Sequence, residues 1–454
     1  MKILVFGAGA FYQRYRYWLN KYDILAVIDN DKSKQGKSLD GHPIVSVDEG
    51  LRLPFDGIYI LGEFVDSMAE DLKRRGVAED AILRESNLKE FVRRHMEDAS
   101  VEIKKPKKIY VFSHDFSLSG GPVAAFSASY IMRNLGYEVC IASPIDGPIS
   151  DKALKAGISV IVDSRLNFCT LNDIEYVKDA DVVWVNTTLM AHLLVNRNVD
   201  IPTIAWLHEP PSMYKYHDVS FFEKVNPEKL SIFAVSSVAE NAFKKKIKGF
   251  EVSRLLFGVT DLYSEHKKTN PHSKFIFAVV GNVSTTKGQD IFVDAIDLLS
   301  DEVKENSKFL IIGKATSRLA SDLIARTQHT TNIKFTGTLD RDTVLDLYSR
   351  IDTLVVPSRE DSMPTVAAEA MMNEVPCIVS TGTGTAQIIS SGENGLVFRN
   401  GDTKELAEKM TWMYRHESER MKMGITGRRL FKKYFDMDVF ERNLKEIMEN
   451  VLRK

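Results

Sequence analysis

The chain has 454 residues, with 60 Lys and Arg against 62 Asp and Glu, a formal net charge of −2 and 44% hydrophobic residues. Near-neutrality leaves no electrostatic footprint for nucleic acid. No apolar run approaches the roughly 20 residues that cross a bilayer, so any membrane contact is expected to be peripheral. The length predicts two or three domains rather than one core. Cys140, Cys169 and Cys377 lie far apart, without metal-type spacing, and read as buried thiols suited to a reducing cytoplasm. The opening MKILVFGAGA reads as a strand and glycine turn, not as a signal peptide.

Residues 1–98 are expected to form a small Rossmann-like α/β domain. Ile3–Phe6 is a strand, Gly7-Ala8-Gly9 a tight turn and Phe11–Lys21 an aromatic-rich helix. Ile24–Ile28 is a strand ending at Asp29; Ile58–Leu61 is another strand and Asp66–Arg75 a helix. Strand, glycine turn, helix, strand and acid begin a dinucleotide-binding unit. The fingerprint is incomplete, because Tyr12 stands at the third glycine position. Two readings remain: a nucleotide site on Gly7, Gly9 and Asp29, or a module of the same topology that binds no dinucleotide. In outline the segment resembles the nucleotide-binding-like modules that precede some bacterial sugar-modifying enzymes. Residues 99–108, with four lysines around Pro106, read as a basic linker, either a solvated tether or a weak dock for an anionic membrane.

The α/β pattern restarts at Ile109 and gives a second domain over 109–255. Ile109–Phe112 is a strand, Ser113–Gly121 a glycine-ended loop, Pro122–Leu135 a helix and Val139–Ala142 a strand. Gly120 and Gly121 before a helix let the backbone approach a ligand where helix N–H groups favour negative charge, or simply make a turn. Further strands at 159–162, 182–185 and 203–206 lead to Leu207-His208-Glu209-Pro210-Pro211. His208 lies at the C-terminal end of a strand, where α/β sheets put their ligands. The aromatics of Met213–Val225 suit an acceptor or membrane lip, or a satellite core. Lys244-Lys245-Lys246 closes a helix. Glu265–Ser273 reads as the hinge to a third domain.

That third domain is assigned 256–435, with a strand at Phe275–Val280 followed by Gly281-Asn282-Val283-Ser284-Thr285-Thr286-Lys287-Gly288 and a helix over Asp290–Leu299. A strand, polar glycine loop, lysine and helix outline a phosphate site, without the glycines of an ATP-binding P-loop. The organising stretch is TLVVPSREDSMPTVAAEAMMNEVPCIVS, Thr353–Ser380. It reads as strand, acidic loop, helix, turn and strand, with Pro364 in the first helical turn. Asp361 and Glu369 stand eight residues apart, beside a helix N-terminus open to an anion. Amphipathic helices follow to the end, the last, within 436–454, expected to return to the second domain.

GNVSTTKG after a strand, the Thr353–Ser380 stretch and SGENGLVF, in that order, resemble the retaining nucleotide-sugar glycosyltransferases of family four (group 1). The resemblance covers roughly 109–435. It implies the GT-B fold, two Rossmann-like domains facing across a cleft, here preceded by a third, smaller one. It also implies transfer of a hexose-type sugar from a nucleotide-diphosphate-sugar to a hydroxyl of a glycan or lipid-linked acceptor, with retention of configuration and no required cofactor or metal. The setting it implies is bacterial surface polysaccharide synthesis, in the cytoplasm or peripherally on the inner face of the plasma membrane. By this resemblance His208, Asp361 and Lys287 are the catalytic candidates. Glu369 would take the ribose hydroxyls, and Gly120, Gly121, Gly281, Asn282, Ser362, Met363 and Thr365 would complete the donor site. Departures are Asp361 where the family has glutamate, with Glu360 one place out of register; Asn282 where an arginine is usual, Arg254 being an alternative cation; Thr260 inserted before Asp261; and Gln387 in place of a glutamate. Two other functions fit the same chain: an NAD-dependent nucleotide-sugar modifier in the first domain, or a non-catalytic sugar-binding scaffold.

Overall fold

The computed structural model describes residues 1–9, 12, 19, 22–62, 64–84, 106–263 and 274–453. The predicted helix at Phe11–Lys21, the linker up to residue 105 and the stretch Glu265–Ser273 thus fall largely or wholly outside the described residues. The chain divides into two compact units, Met1–Lys105 and Pro106–Lys454.

The first unit is a six-stranded sheet, β1 (Lys2–Phe6), β2 (Asp23–Ile28), β3 (Ser38–Leu39), β4 (His42–Val45), β5 (Gly57–Ile60) and β6 (Ile82–Leu83). The order is β3-β4-β2-β1-β5-β6, parallel except for the β3–β4 pair. Apolar β1, β2 and β5 bury side chains on both faces, as parallel strands must. Helix α1 (Val65–Arg74) covers one face with Ala69 and Leu72.

The second unit holds two lobes. In the first, β7 (Lys108–Phe112), β8 (Glu138–Ser143), β9 (Ser159–Val162), β10 (Val182–Asn186), β11 (Thr203–Leu207), β12 (Leu230–Ala234) and β13 (Val252–Arg254) form a parallel sheet ordered β13-β12-β11-β10-β7-β8-β9. In the second, β14 (Phe275–Val280), β15 (Ser307–Ile312), β16 (Ile333–Gly337), β17 (Thr353–Val356), β18 (Cys377–Ser380) and β19 (Gly395–Phe398) are ordered β16-β15-β14-β17-β18-β19, again all parallel. Each sheet starts in the middle, winds outward, and returns to the other side of its first strand. The switch points lie between β7 and β10 and between β14 and β17, and a doubly wound sheet binds ligands outside the strand C-termini at that place.

The connection between the lobes is tied down at both crossings. Trp206 Nε1 donates to Leu255 O (2.9 Å), and Val259 N donates to Phe435 O (2.7 Å). Asp261, one place late relative to the family pattern, takes a bidentate Arg428 (2.8 and 2.6 Å) and Lys432 (2.5 Å). Arg428 lies on α6 (Glu417–Tyr434). The last helix, α7 (Met437–Val451), returns to the first lobe, where Phe440 stacks on Trp206 at 5.7 Å.

Candidate active site

The donor-side candidates sit at the β14/β17 switch point. After β14 the chain turns through Gly281 and Lys287 into Gly288, whose φ is 71°. A Cβ on Gly288 would lie 2.2 Å from Pro357 O, so only glycine lets this loop rest on the loop after β17. Buried Gln289, the first residue of α4 (Gln289–Asp297), shapes the same turn. Its Nε2 donates to Gly281 O and Asn282 O (3.3 and 3.2 Å), and its Oε1 accepts from Ser284 N (3.1 Å). The sequence reading missed Gln289; a wholly buried polar side chain has no local signature. The Asn282 side chain is exposed.

Across this turn lies the acidic loop. Lys287 Nζ donates to Asp361 Oδ2 at 2.5 Å. Asp361 is itself fixed by Asp361 N to Gly382 O (3.1 Å) and Gly384 N to Asp361 O (2.9 Å). Arg359 forks onto Asp290 (2.8 and 2.6 Å) and reaches Thr285 O (2.8 Å). Burial pushes the Asp290 carboxyl up, but Arg359 outweighs it and holds it below the usual range. Space of only about 10 Å³ remains beside Lys287, Ser358, Asp361 and Pro364, about one water's worth. Helix α5 (Thr365–Met372) starts here with Pro364 as its N-cap, one place earlier than expected, and Thr365 as its first residue. Ser362 and Met363 are buried just before it, and Ser362 Oγ has no partner. Glu369 is buried on α5, where its Oε2 accepts from Tyr348 O–H (3.2 Å).

The facing candidates sit at the β7/β10 switch point and the end of β11. Gly120 and Gly121 open α2 (Gly120–Asn134) behind Ser119 as N-cap, rather than ending the loop before it. Neither has a positive φ. At Gly121 the demand is for space, since a Cβ would stand 3.2 Å from Thr187 Cγ2. Asn186 Nδ2 donates to Gly121 O (3.0 Å), which turns its Oδ1 to His208 Nε2 (3.1 Å). Burial, with His114 adding to it, pushes His208 down to about 3. The ring is therefore neutral at pH 7, with its proton on Nε2 and a lone pair on Nδ1. Burial raises the neighbouring Glu209, which accepts from Thr188 N (2.9 Å) and His208 N (3.0 Å). It locks the ends of β10 and β11 together, a positioning task the sequence did not disclose. Thr187 adopts φ 76°, rare for a β-branched residue and a mark of strain stored at a site.

The two sides touch. Ser212 N, in the loop after His208, donates to Glu360 Oε2 at 2.8 Å. Glu360, first read as a bystander to Asp361, is thus an interlobe link. Arg254, the alternative cation for the arginine absent at Asn282, stands at the end of β13 with its Nε donating to Glu240 Oε2 (2.9 Å). In Met213–Val225 the aromatics divide. Tyr214 and Phe222 are core, Phe222 packing on Phe243, while Tyr216 is 82% exposed.

In the first unit, Gly7 (φ 120°) permits close approach to Leu61 O, but Gly9 has open space and no positive φ. Tyr12 is in the core. Asp29 accepts from Ala8 N (2.9 Å), Asp31 N (2.9 Å) and Lys34 Nζ (3.0 Å). These bonds engage both oxygens of the proposed ribose acid, so a ribose hydroxyl would share the carboxylate with them. Among the described residues, no group of three His, Cys, Asp or Glu side chains could hold a metal ion, and no helix is long and apolar enough to cross a membrane.

Two doubly wound lobes with facing switch points define the GT-B class. Residues 264–430 match the model of glycosyl transferases group 1, and residues 105–253 that of glycosyl-transferase family 4. Residues 1–83 match a C2185-like N-terminal domain. An uncharacterized glycosyltransferase of Methanocaldococcus jannaschii is 26% identical over 246 residues, 53% of this chain and 66% of its own length. The capsular polysaccharide biosynthesis glycosyltransferase CapM of Staphylococcus aureus is 25% identical over 192 residues, 42% of this chain and 49% of its own length. The matched segments thus span from about half to about two thirds of those relatives. Among solved structures, Anabaena HepE in complex with UDP and glucose superposes with a TM-score of 0.63 at 15% identity, over 76% of this chain and all of that one. WaaG, a glycosyltransferase involved in lipopolysaccharide biosynthesis, gives 0.59 at 15%, over 75% and 99%. The chain belongs to the GT-B glycosyltransferases and carries an additional Rossmann-like module at its N-terminus.

Proposed function

We propose that the chain transfers a hexose from a nucleotide-diphosphate-sugar to a hydroxyl of a glycan or lipid-linked acceptor, with retention, in surface polysaccharide synthesis. The observation that carries this reading is the Lys287–Asp361 pair (2.5 Å) at one switch point, joined through Glu360 and Ser212 to the loop bearing His208. Lys287 and the N-terminus of α5 are preorganised to take the charge that develops on the departing diphosphate. Glu369, buried on α5, would take the ribose hydroxyls. Asp361 would release Lys287 to the diphosphate and turn to the sugar. Neutral His208 offers a lone pair on Nδ1 to a hydroxyl, and closed lobes exclude the water that would hydrolyse the donor. Retention follows if the acceptor attacks from the face the diphosphate leaves. The polysaccharide setting draws on the name of CapM, and contact with a membrane surface would be peripheral. The test is acceptor-dependent release of nucleoside diphosphate from a panel of donors. Lys287→Ala should lower it about 10²–10³-fold, and the product should keep the donor's anomeric configuration by NMR. Undiminished turnover without Lys287 would overturn the assignment.

A further inference from the structure

The second lobe meets the first where Gly384 wedges between Ser362 O and Ser236. A Cβ there would lie 1.8 Å from the carbonyl and 2.9 Å from Ser236 Oγ. On the hinge side of this contact the lobes part around a space of about 400 Å³. That is within the about 300–1,000 Å³ usual for small-molecule sites. It is lined by Ser237 and Arg254 from the first lobe and by Gln387, Glu393 and Asn394 from the second, with Leu430 at its side. Met363, a donor-side residue, also borders it, whereas Lys287 and Asp361 line a separate space.

Two buried polar atoms on opposite lobes have no partner here. Ser237 is 5% exposed and its Oγ is unpaired; Asn394 is 4% exposed and its Oδ1 is unpaired. Asn394 Nδ2 is spent on Ile388 O (3.2 Å), which leaves Oδ1 as the atom in need of a donor. Such groups cost stability until something pairs with them. Ser237 is also the first residue of α3 (Ser237–Lys246). The N-cap Ser236 Oγ takes Ala239 N (3.3 Å), and the first-turn amides of Ser237 and Val238 have no intrahelical acceptor. They and the helix dipole favour an anion, and Arg254, steered by Glu240, adds a cation beside them. The facing wall is opposite in character. Glu393 and Asn394 Oδ1 repel an anion and call for O–H or N–H donors.

We propose that this hinge space is a second ligand site, apart from the Lys287–Asp361 seat, for a small phosphorylated sugar or polyol. The phosphate would sit on the N-terminus of α3 beside Arg254, with hydroxyls donating to Asn394 Oδ1 and Glu393. Such a ligand bridges the lobes next to the crossings at Val259 and Phe435 and so favours the lobe arrangement that fits it.

The test uses the full chain, with binding followed by calorimetry and thermal shift. The probes are glucose 6-phosphate, glucose and inorganic phosphate; the proteins are wild type, Ser237→Ala, Asn394→Asp and Lys287→Ala. Expected is saturable binding of glucose 6-phosphate, at least tenfold weaker in Ser237→Ala and Asn394→Asp and unchanged in Lys287→Ala. Ser237→Ala removes an unpaired hydroxyl and should melt no lower than wild type. Should Asn394→Asp fail to fold, Arg254→Gln takes its place. Four results would each overturn the proposal. These are no saturable binding, equal binding of phosphate or glucose alone (an adventitious ion or additive only), loss in Lys287→Ala, or wild-type affinity in both hinge variants.

Discussion

Replacing Asp361 with Asn separates two roles that the wild-type side chain combines. In the ligand-free protein its carboxylate occupies Lys287 at 2.5 Å, the seat proposed for the diphosphate. A nucleotide must therefore break this ion pair before it can use the lysine. Lys287 is 39% exposed and Asp361 14%, so the pair is only partly shielded from water. An exposed pair is worth up to about 1 kcal/mol, and a hydrogen bond to a charged group about 1.5–3 kcal/mol. Taking 1–2 kcal/mol for the competition, Asp361→Asn should bind nucleoside diphosphate roughly 5–30-fold more tightly. Sugar transfer should fall at the same time, because the acid proposed to hold the sugar is gone. The assay is calorimetric titration of UDP, GDP and ADP into both proteins, with turnover measured alongside. Unchanged or weaker nucleotide binding by folded Asp361→Asn would show that the pair is not a competitor for that seat.

Glu360→Ala removes the carboxylate that accepts from Ser212 N. The lobes should then open, seen as a larger radius of gyration by X-ray scattering, and turnover should drop about fivefold, equivalent to ~1 kcal/mol; an unchanged scattering curve would deny the link. Gly288→Ala forces a Cβ 2.2 Å from Pro357 O at a left-handed φ, and should cost about 1–3 kcal/mol in urea denaturation. Burial pushes Asp261 up, yet Arg428 and Lys432 outweigh it and hold it at about 2. A depressed carboxyl stabilises above the unfolded value near 3.9 and loses that stabilisation as pH falls toward 2. The melting temperature should therefore fall more steeply below pH 4 in wild type than in Asp261→Asn. His208 acts in the same direction over a higher window. Its native ring stays neutral to about 3 while the unfolded one takes a proton below about 6.5, so stability declines with acid across that window. Histidine NMR should show that the His208 ring fails to titrate near 6.5.

Local pattern alone determined much of this protein. Apolar runs of four to six residues bounded by glycine loops set out the three α/β segments in order. The helix beside Pro364 could be read within a residue of its start, because its composition and its adjacent proline are local facts. Lys287 and Asp361 were legible as residues of strand-to-helix loops, and Glu369 as a residue of the helix that follows. Tertiary structure alone decided what these groups touch. Lys287 and Asp361 are 74 positions apart, and Ser212 and Glu360 are 148 apart. Parallel strands with crossover connections bring such residues together without leaving any sequence periodicity between them. The same holds for the Asn186–His208 bond that sets the tautomer, and for buried Gln289 and Glu209, whose partners are mostly backbone groups. Asp29 shows the converse. Its position suited ribose, but only the folded turn reveals that Ala8, Asp31 and Lys34 already occupy its oxygens. Hydrogen-bond partners are allotted in three dimensions, and a motif states only which side chains are available for them.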